Sequence, residues 1–112
     1  MLTSSAKSKG RRLSARVKEK LLVYRPDIPE CDIKVTCSGE TGPDIQFSDM
    51  ASKEFPFVIE CKNNETLPLW ASIRQLEEHK LNKDQTRLLI FARNRSDDYV
   101  ILKLDDFLKL VM

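Results

Sequence analysis

Three ionisable side chains stand in two neighbouring apolar runs, and their types and spacing suit metal-dependent chemistry. Asp44 opens one short run, and Glu60 and Lys62 lie two residues apart within the next. Side chains alternate across a β-strand, so Glu60 and Lys62 are predicted to share one face and Cys61 to project from the other. Burying charges beside a sheet is costly unless they are paired or bind a metal. We therefore expect a divalent cation held by Asp44 and Glu60.

These residues also carry a resemblance to a known family. Pro43-Asp44 followed by Glu60-Cys61-Lys62 resembles the motif of the PD-(D/E)xK nuclease superfamily. Three segments spread over most of the chain also resemble small phage-encoded nucleases, namely 9–13, 60–63 and 93–96. The resemblance implies an α/β fold with a restriction-endonuclease-like core, in which a mixed central sheet of about four to five strands is flanked by helices.

A closer similarity is to archaeal Holliday junction resolvases. Ser38 lies in a loop, 38–45, that resembles their Ser/Gly-rich approach to the metal-binding Asp, and 59–63 resembles their second motif strand. Gln75, on the following predicted helix, matches their downstream Gln and is implied to act with the catalytic residues. Ser38 is implied to lie at the nucleic acid.

One departure from the resolvases concerns the first helix. They carry an acidic residue at the position of Ser14, and a hydroxyl does not replace the charge of a carboxylate. Glu19 is on the same predicted helix but points away from its core-facing stripe, so it is not assigned to the metal. Either two acidic ligands suffice with a backbone carbonyl and waters, or Glu40 contributes from its loop.

The chemistry implied is hydrolysis of a phosphodiester. Mg²⁺ prefers oxygen ligands and keeps several waters, which suits Asp44, Glu60 and the main-chain carbonyl of Cys61. The ion would polarise the phosphate and lower the pKa of a bound water. Lys62 would position that water or stabilise the charge that develops on the phosphate, as in the enzymes resembled. Mn²⁺ is expected to substitute for Mg²⁺.

The first part of the chain is basic although the net charge is only +2. Six cations precede the first acidic residue, and clustered cations bind phosphates without sequence choice. The alternative is a solvated helix face that aids solubility. Next to a nuclease-like motif we predict nucleic-acid contacts from Lys7, Lys9, Arg11, Arg12 and Arg16.

Composition predicts one domain over residues 1–112, with a basic N-terminal segment of about residues 1–12. The 112 residues are 41% hydrophobic, as expected of a globular domain. No apolar stretch approaches the roughly 20 residues needed to cross a bilayer, and no signal-peptide core is visible. Three cysteines without zinc spacing favour a reducing compartment. We expect a cytoplasmic protein, in the host cytoplasm if it is phage-encoded.

Hydrophobic periodicity predicts the order of helices and strands. A helix with Leu13, Val17, Leu21 and Tyr24 on its core-facing stripe comes first. A second helix ends near His79, and a short third begins near Asp105. A polar connection is predicted between the two motif strands. The predicted helices cover 8–24 and about 67–79, and the predicted strands cover 31–37, 44–48, 55–62, 87–92 and 99–104.

Two residues outside the motif, His79 and Trp70, are predicted to have structural rather than catalytic roles. His79 is the only histidine, which disfavours a His-centred nuclease or a Ser-His-Asp hydrolase, and it is predicted to lie at a helix end near the negative dipole. Trp70 could stack on a base, but partial burial in the core is the favoured prediction.

The sequence thus predicts a magnesium-dependent DNA endonuclease, and the resemblance to Holliday junction resolvases implies selectivity for branched DNA. Symmetric cleavage of a junction by a domain with one site would require a homodimer. An alternative within the same chemistry is a phage nicking or homing-type endonuclease. The alternative from another class is a non-catalytic DNA-binding module, which the serine at position 14 favours.

Overall fold

The computed structural model describes the backbone of residues 4–37 and 39–112, and the side chains from residue 9 onward outside the same gap. Two predicted nucleic-acid contacts, the side chain of Lys7 and the whole of Ser38, lie outside the described residues. Within the described ranges, no helix has both the length and the apolarity needed to cross a membrane.

Five strands form one mixed sheet, which confirms the predicted α/β class. The sheet order is β1-β2-β3-β4-β5, with β3 and β4 parallel and the other three neighbouring pairs antiparallel. The strands are β1 (Ile33–Val35), β2 (Ile45–Phe47), β3 (Phe57–Asn63), β4 (Thr86–Ala92) and β5 (Tyr99–Ile101). The helices are α1 (Ser4–Tyr24), α2 (Asp49–Glu54), α3 (Leu69–Glu77) and α4 (Leu104–Val111).

Several boundaries differ from those predicted. The connection between β2 and β3 contains α2, because the Ser48 side chain caps the helix by accepting a hydrogen bond from Ala51 N at 3.1 Å, and Ala51 is buried. The first predicted strand begins as a 3₁₀ turn, Glu30–Asp32, before β1. The last predicted strand ends early because α4 begins at Leu104.

The core lies mainly between α1 and the sheet. Leu13 and Val17 are buried as predicted and pack with Ile33 and Ile59. Full burial of such a side chain stabilises the fold by about 1.5–3 kcal/mol. The predicted burial of Tyr24 is wrong, since this last residue of α1 is 83% exposed and Ile28 from the following turn is buried instead.

The central strand β3 is buried on both faces. Ile59 and Cys61 belong to the core on the α1 side. Val58 and Glu60 are also buried, and strict alternation places them on the face that α3 covers with Leu76. Glu60 therefore lies beneath a helix rather than at the surface.

An ion-pair cluster ties the β4–β5 connection to α1. The guanidinium of Arg16 donates two hydrogen bonds to Asp98, at 2.9 and 2.7 Å, and Lys20 Nζ donates a third at 2.6 Å. The bond from Arg16, supported by the one from Lys20, lowers the pKa of Asp98 to about 2. Arg16, a predicted nucleic-acid contact, is therefore already bound to an acid within the protein.

We expect Asp98→Asn to lower the free energy of unfolding at pH 7 by about 1–2 kcal/mol, because two cations lose their acceptor. A lowered folded-state pKa stabilises the fold above its ordinary value of 3.8, and that stabilisation is lost as the pH falls towards 2. Urea titrations should show the deficit at pH 7 and little of it near pH 2. Asp97→Asn, on the exposed neighbouring residue, is the matched control, and an equal effect from it would contradict this assignment.

Candidate functional site

Backbone and side-chain hydrogen bonds fix Asp44 between β1 and β3. Asp44 N donates to Ile59 O at 3.0 Å, and Asp44 O accepts from Thr36 N at 2.9 Å. The carboxylate Oδ2 accepts from Cys61 N at 2.7 Å. Gly42, with φ at +111°, turns the preceding loop in a conformation that residues with a Cβ rarely adopt. The carboxylate of Asp44 is thus held against the middle of β3.

Glu60 is buried, with 4% of its surface exposed, and its side chain is satisfied by a residue that the sequence motif does not include. Glu60 Oε1 is hydrogen-bonded to Nε2 of His79. His79 lies just after α3, as predicted, and its ring is largely covered, with 20% of the side chain exposed. A carboxylate in this position requires such a partner, because an unpaired charge in the interior is strongly destabilising.

The two motif carboxylates lie close together. Burial raises the pKa of Glu60 to about 7, and the nearby negative charge of Asp44 acts in the same direction. The hydrogen bond from His79 opposes the rise in the pKa of Glu60 but does not cancel it. Asp44 and Glu60 therefore form a pair whose negative charge the protein compensates only in part.

Arg87, on β4, fixes the position of His79. Its Nη2 donates to His79 O at 2.6 Å and to Glu77 O at 3.2 Å. A cation at the carbonyl end of a helix is favourable, since the last carbonyls have no partner within the helix. Arg87 thereby attaches the end of α3 to the sheet and brings the imidazole to Glu60. The chain of contacts runs from Arg87 through His79 to Glu60.

A cleft of about 280 Å³ opens at Asp44 between α1 and the loop that leads into β2. Asp44 lines this cleft, whereas Glu60 does not. The lining residues come from α1, the loop, Asp44 itself and β3, and are Gly10, Arg11, Ser14, Thr36, Cys37, Gly39, Glu40, Gly42, Asp44 and Cys61.

Ser14 and Cys61 form the floor of the cleft. Ser14 is 3% exposed, and both residues line the cleft. Burial raises the pKa of the Cys61 thiol to about 12, although the neighbouring Ser14 hydroxyl acts to lower it, so the thiol stays protonated. The Cys61 side chain packs on the α1 side, opposite Glu60, as predicted.

Glu40, the predicted alternative ligand, lies on the wall of the cleft but has other partners. Its carboxylate accepts from Cys37 N at 2.8 Å and pairs with Lys34 at 3.1 Å. The backbone hydrogen bond from Cys37 and the bond from Lys34 lower the pKa of Glu40 to about 2. Its carboxylate is therefore committed to neutralising Lys34 at the surface.

Of the two other predicted catalytic residues, Lys62 shares the face of Glu60, whereas Gln75 does not contact Glu60. Lys62 is half-buried, shares the face of Glu60, and forms no ion pair with any acid in the part of the chain that the structure describes. Gln75 is exposed on α3, and the residue that reaches Glu60 from this part of the chain is His79, four positions later.

Among the predicted nucleic-acid contacts, Arg11 is the residue that lines the cleft, and Arg12 is exposed beside it on α1. Lys9 is half-buried, and its carbonyl accepts from Asn63 Nδ2 at 3.5 Å. Trp70 is 74% exposed, so its predicted burial is wrong, because α3 buries Ser72 and Leu76 on its other side.

The oxygen ligands available here, two carboxylates and a main-chain carbonyl, suit a cation that accepts few protein ligands. Among the side chains that the structure describes, those of residues 9–37 and 39–112, no group of three or more His, Cys, Asp or Glu is placed to hold a metal ion. Two carboxylates with main-chain oxygen and water are a set that Mg²⁺ accepts, whereas a structural zinc site needs four protein ligands. The residues present therefore fit Mg²⁺ or Mn²⁺.

Comparison with known proteins gives no match: no family model, no curated protein and no solved structure is similar to this chain.

The raised pKa of Glu60 predicts a distinct pH dependence of stability. Between its ordinary value of 4.5 and its folded value of about 7, the folded state keeps a proton that the unfolded state has released, so stability falls as the pH rises through this window. We expect Glu60→Gln to remove this fall. At pH 8 the free energy of unfolding of the variant should exceed that of the parent by on the order of 2–3 kcal/mol.

The measurement is urea unfolding from pH 4 to pH 8 with a chelator present. The exposed Glu19→Gln is the matched control and should follow the parent curve. Parallel curves for the parent and Glu60→Gln would show that Glu60 is not in the electrostatic environment described.

Proposed function

We propose that this protein is a metal-dependent DNA endonuclease that hydrolyses phosphodiester bonds. The observation that carries the proposal is the meeting of Asp44 and Glu60, which lie 16 positions apart in the sequence, next to a cleft that Arg11 also lines. The mixed sheet flanked by helices agrees with the fold that the PD-(D/E)xK resemblance implies. Two close carboxylates suit metal-assisted hydrolysis, and Lys62, which has no acidic partner among the described residues, matches the lysine of the resembled motif.

Asp44, Glu60 and the carbonyl of Cys61 would hold Mg²⁺. Burial and, after it, the negative charge of the half-buried Asp44 raise the pKa of Glu60, and a divalent cation would offset both effects. Glu60 uses Oε1 for His79, which leaves Oε2 for the metal. Because the N–H and C=O of one residue in an extended strand point to the same side, the Cys61 carbonyl also faces Asp44. When bound, the ion would polarise the phosphate and acidify a water.

The chain's own residues supply the remaining roles. Lys62, without an acidic partner among the described residues, is available to donate to the attacking water or to a phosphate oxygen. Arg11 lines the cleft next to the acids and would bind a phosphate of the substrate. Arg12 extends this positive surface along the exposed side of α1. A backbone-binding surface of this kind favours recognition of DNA shape, as branched DNA would require.

A non-catalytic DNA-binding module is the second candidate, and one observation favours it. Ser14 lines the cleft at the position where the resolvases that the sequence resembles carry an acidic residue, and a hydroxyl does not supply the charge of a third carboxylate. The two functions differ in a single respect, namely whether DNA is cut when metal is present. Cleavage and binding must therefore be measured on the same proteins.

The test of the nuclease is incubation of labelled duplex, single-stranded and four-way junction DNA with Mg²⁺ or Mn²⁺. We expect product from the parent protein, and at least a hundredfold slower cleavage from Asp44→Asn, Glu60→Gln and Lys62→Met. Mn²⁺ binding, followed by electron paramagnetic resonance, should weaken in the two acid variants and persist in Lys62→Met. Preference for the junction would support resolvase-like selectivity.

Controls separate the possible outcomes of this experiment. The exposed Glu19→Gln should cleave as the parent does, and Arg11→Gln should raise the KM more than it lowers kcat, because it contacts the substrate backbone. Binding of DNA without product in either metal would establish the module instead. Neither binding nor cleavage would refute both candidates.

His79 is a positioning residue for Glu60 in this scheme. We expect His79→Leu to weaken Mn²⁺ binding about tenfold, because Glu60 loses the hydrogen bond that fixes Oε1. His79→Gln retains a side-chain donor and should recover much of that affinity, whereas a residue that only fills space would not be rescued in this way. Equal Mn²⁺ affinity in the parent and His79→Leu would remove His79 from the site.

A further inference from the structure

The turn between β4 and β5, residues 93–96, presents two arginines that take no part in the cleft at Asp44. Arg93 and Arg95 are exposed, and neither forms an ion pair with an acid in the part of the chain that the structure describes. Exposed cations on a polar turn often serve only solubility. The conformation of this turn and its position beside α1 indicate a more specific role.

The backbone of the 93–96 turn is unfavourable for the residue that it carries. Ser96 N donates to Arg93 O at 3.2 Å, which closes a β-turn, and Arg95 occupies the third position of that turn with φ at +62°. A positive φ at this position normally calls for Gly or Asn, because a larger side chain is disfavoured there. Backbone strain of this kind is concentrated at functional sites. What the Arg95 guanidinium binds therefore explains this residue better than the needs of the turn do.

Contacts with two other segments hold the turn in place. Asp98, two residues after the turn, accepts from the Arg16 guanidinium of α1 at 2.7 Å. Within the turn, Asn94 N donates to Glu65 Oε1 at 3.2 Å, which attaches it to the connection that follows β3. The two exposed guanidinium groups are thus carried by a backbone that is already ordered, so that less conformational entropy is lost when they bind a ligand.

Exposed cations of α1 lie next to the turn. Arg16 holds Asp98, and Arg12 lies four positions earlier on the same side of α1, about 6 Å along the helix. Arg11, the neighbour of Arg12, lines the cleft at Asp44. Positive charge therefore extends from the cleft along α1 towards the turn.

The carboxyl ends of β3 and β4 also connect the turn to the start of α1. Asn64 N donates at 3.1 Å to the carbonyl of Ala92, the residue before the turn. Asn63 Nδ2 donates to the carbonyl of Lys9 at 3.5 Å. Lys9 is followed by Gly10, which lines the cleft. The turn and the α1 side of the cleft therefore lie at one edge of the molecule.

We propose that the 93–96 turn is a second DNA-binding element, in which Arg93 and Arg95 bind backbone phosphates of the DNA that enters the cleft. This inference rests on the proposed function, because it assigns a further part of the same substrate to this surface. Arginine binds phosphate oxygens through a planar fork of donors, and such contacts position DNA without reading its sequence. Glu65 and Asp97 are the acids beside the turn, and neither forms an ion pair with these arginines.

The test is the binding of labelled duplex and four-way junction DNA to the whole chain at several salt concentrations, followed by fluorescence anisotropy with a chelator present so that no strand is cut. Each phosphate contact contributes about 0.9 to the slope of log K against log[salt]. We expect Arg93→Gln and Arg95→Asn each to reduce the slope by about one, and the double variant by about two.

A second measurement separates binding from folding. Asn tolerates the left-handed conformation at position 95, so the Tm of Arg95→Asn should be no lower than that of the parent. A clearly lower Tm would show that Arg95 serves the turn itself and would overturn the proposal.

The matched control is Lys83→Gln, which removes an exposed positive charge before the opposite end of β4, roughly 20 Å along the strand from the turn. It should keep the slope of the parent, and an equal reduction by Lys83→Gln would overturn the proposal by ascribing the effect to net charge. A parent that binds and cleaves DNA, with Arg93→Gln and Arg95→Asn at the parental slope, would overturn the role of the turn and leave the proposed function standing. A parent that binds no DNA would overturn both.

Discussion

The burial of Glu60 beneath α3 is the constraint on which the arrangement of the site depends. A carboxylate that is only 4% exposed, on the most buried strand of the sheet, must be compensated largely inside the protein, because it retains little contact with solvent. The compensation comes from His79, and Arg87 holds His79 in place through the carbonyls at the end of α3. The protonation state of Glu60 therefore depends on how α3 packs against the sheet, because that packing brings His79 to the carboxylate.

Strand alternation was sufficient to predict much of this arrangement. The two-residue spacing of Glu60 and Lys62 placed them on the face opposite Cys61, and the apolar periodicity of α1 identified Leu13 and Val17 as core. These predictions succeeded because each depends on the local geometry of a single strand or helix, which sequence spacing determines directly. The α/β class followed from the order of such segments.

What the sequence did not predict depends on contacts between distant segments. The pairing of Glu60 with His79 spans 19 positions, and the pairing of Arg16 with Asp98 spans 82, so no periodicity encodes either. A buried acid needs a partner, and the single histidine of the chain was the available signal. The helix α2 was missed for another reason, since its six residues are too few for a clear apolar repeat.

The cysteines differ sharply in their accessibility to reagents. Cys61 is covered and its thiol holds its proton, whereas Cys37 is exposed at the mouth of the cleft and Cys31 is exposed after α1. Thiol-directed dyes should accordingly label the two surface cysteines and spare Cys61. With Cys31 replaced by serine, a single fluorophore at Cys37 would lie on the lining of the cleft. The fold thus offers a built-in attachment point for an optical sensor of whatever enters the cleft.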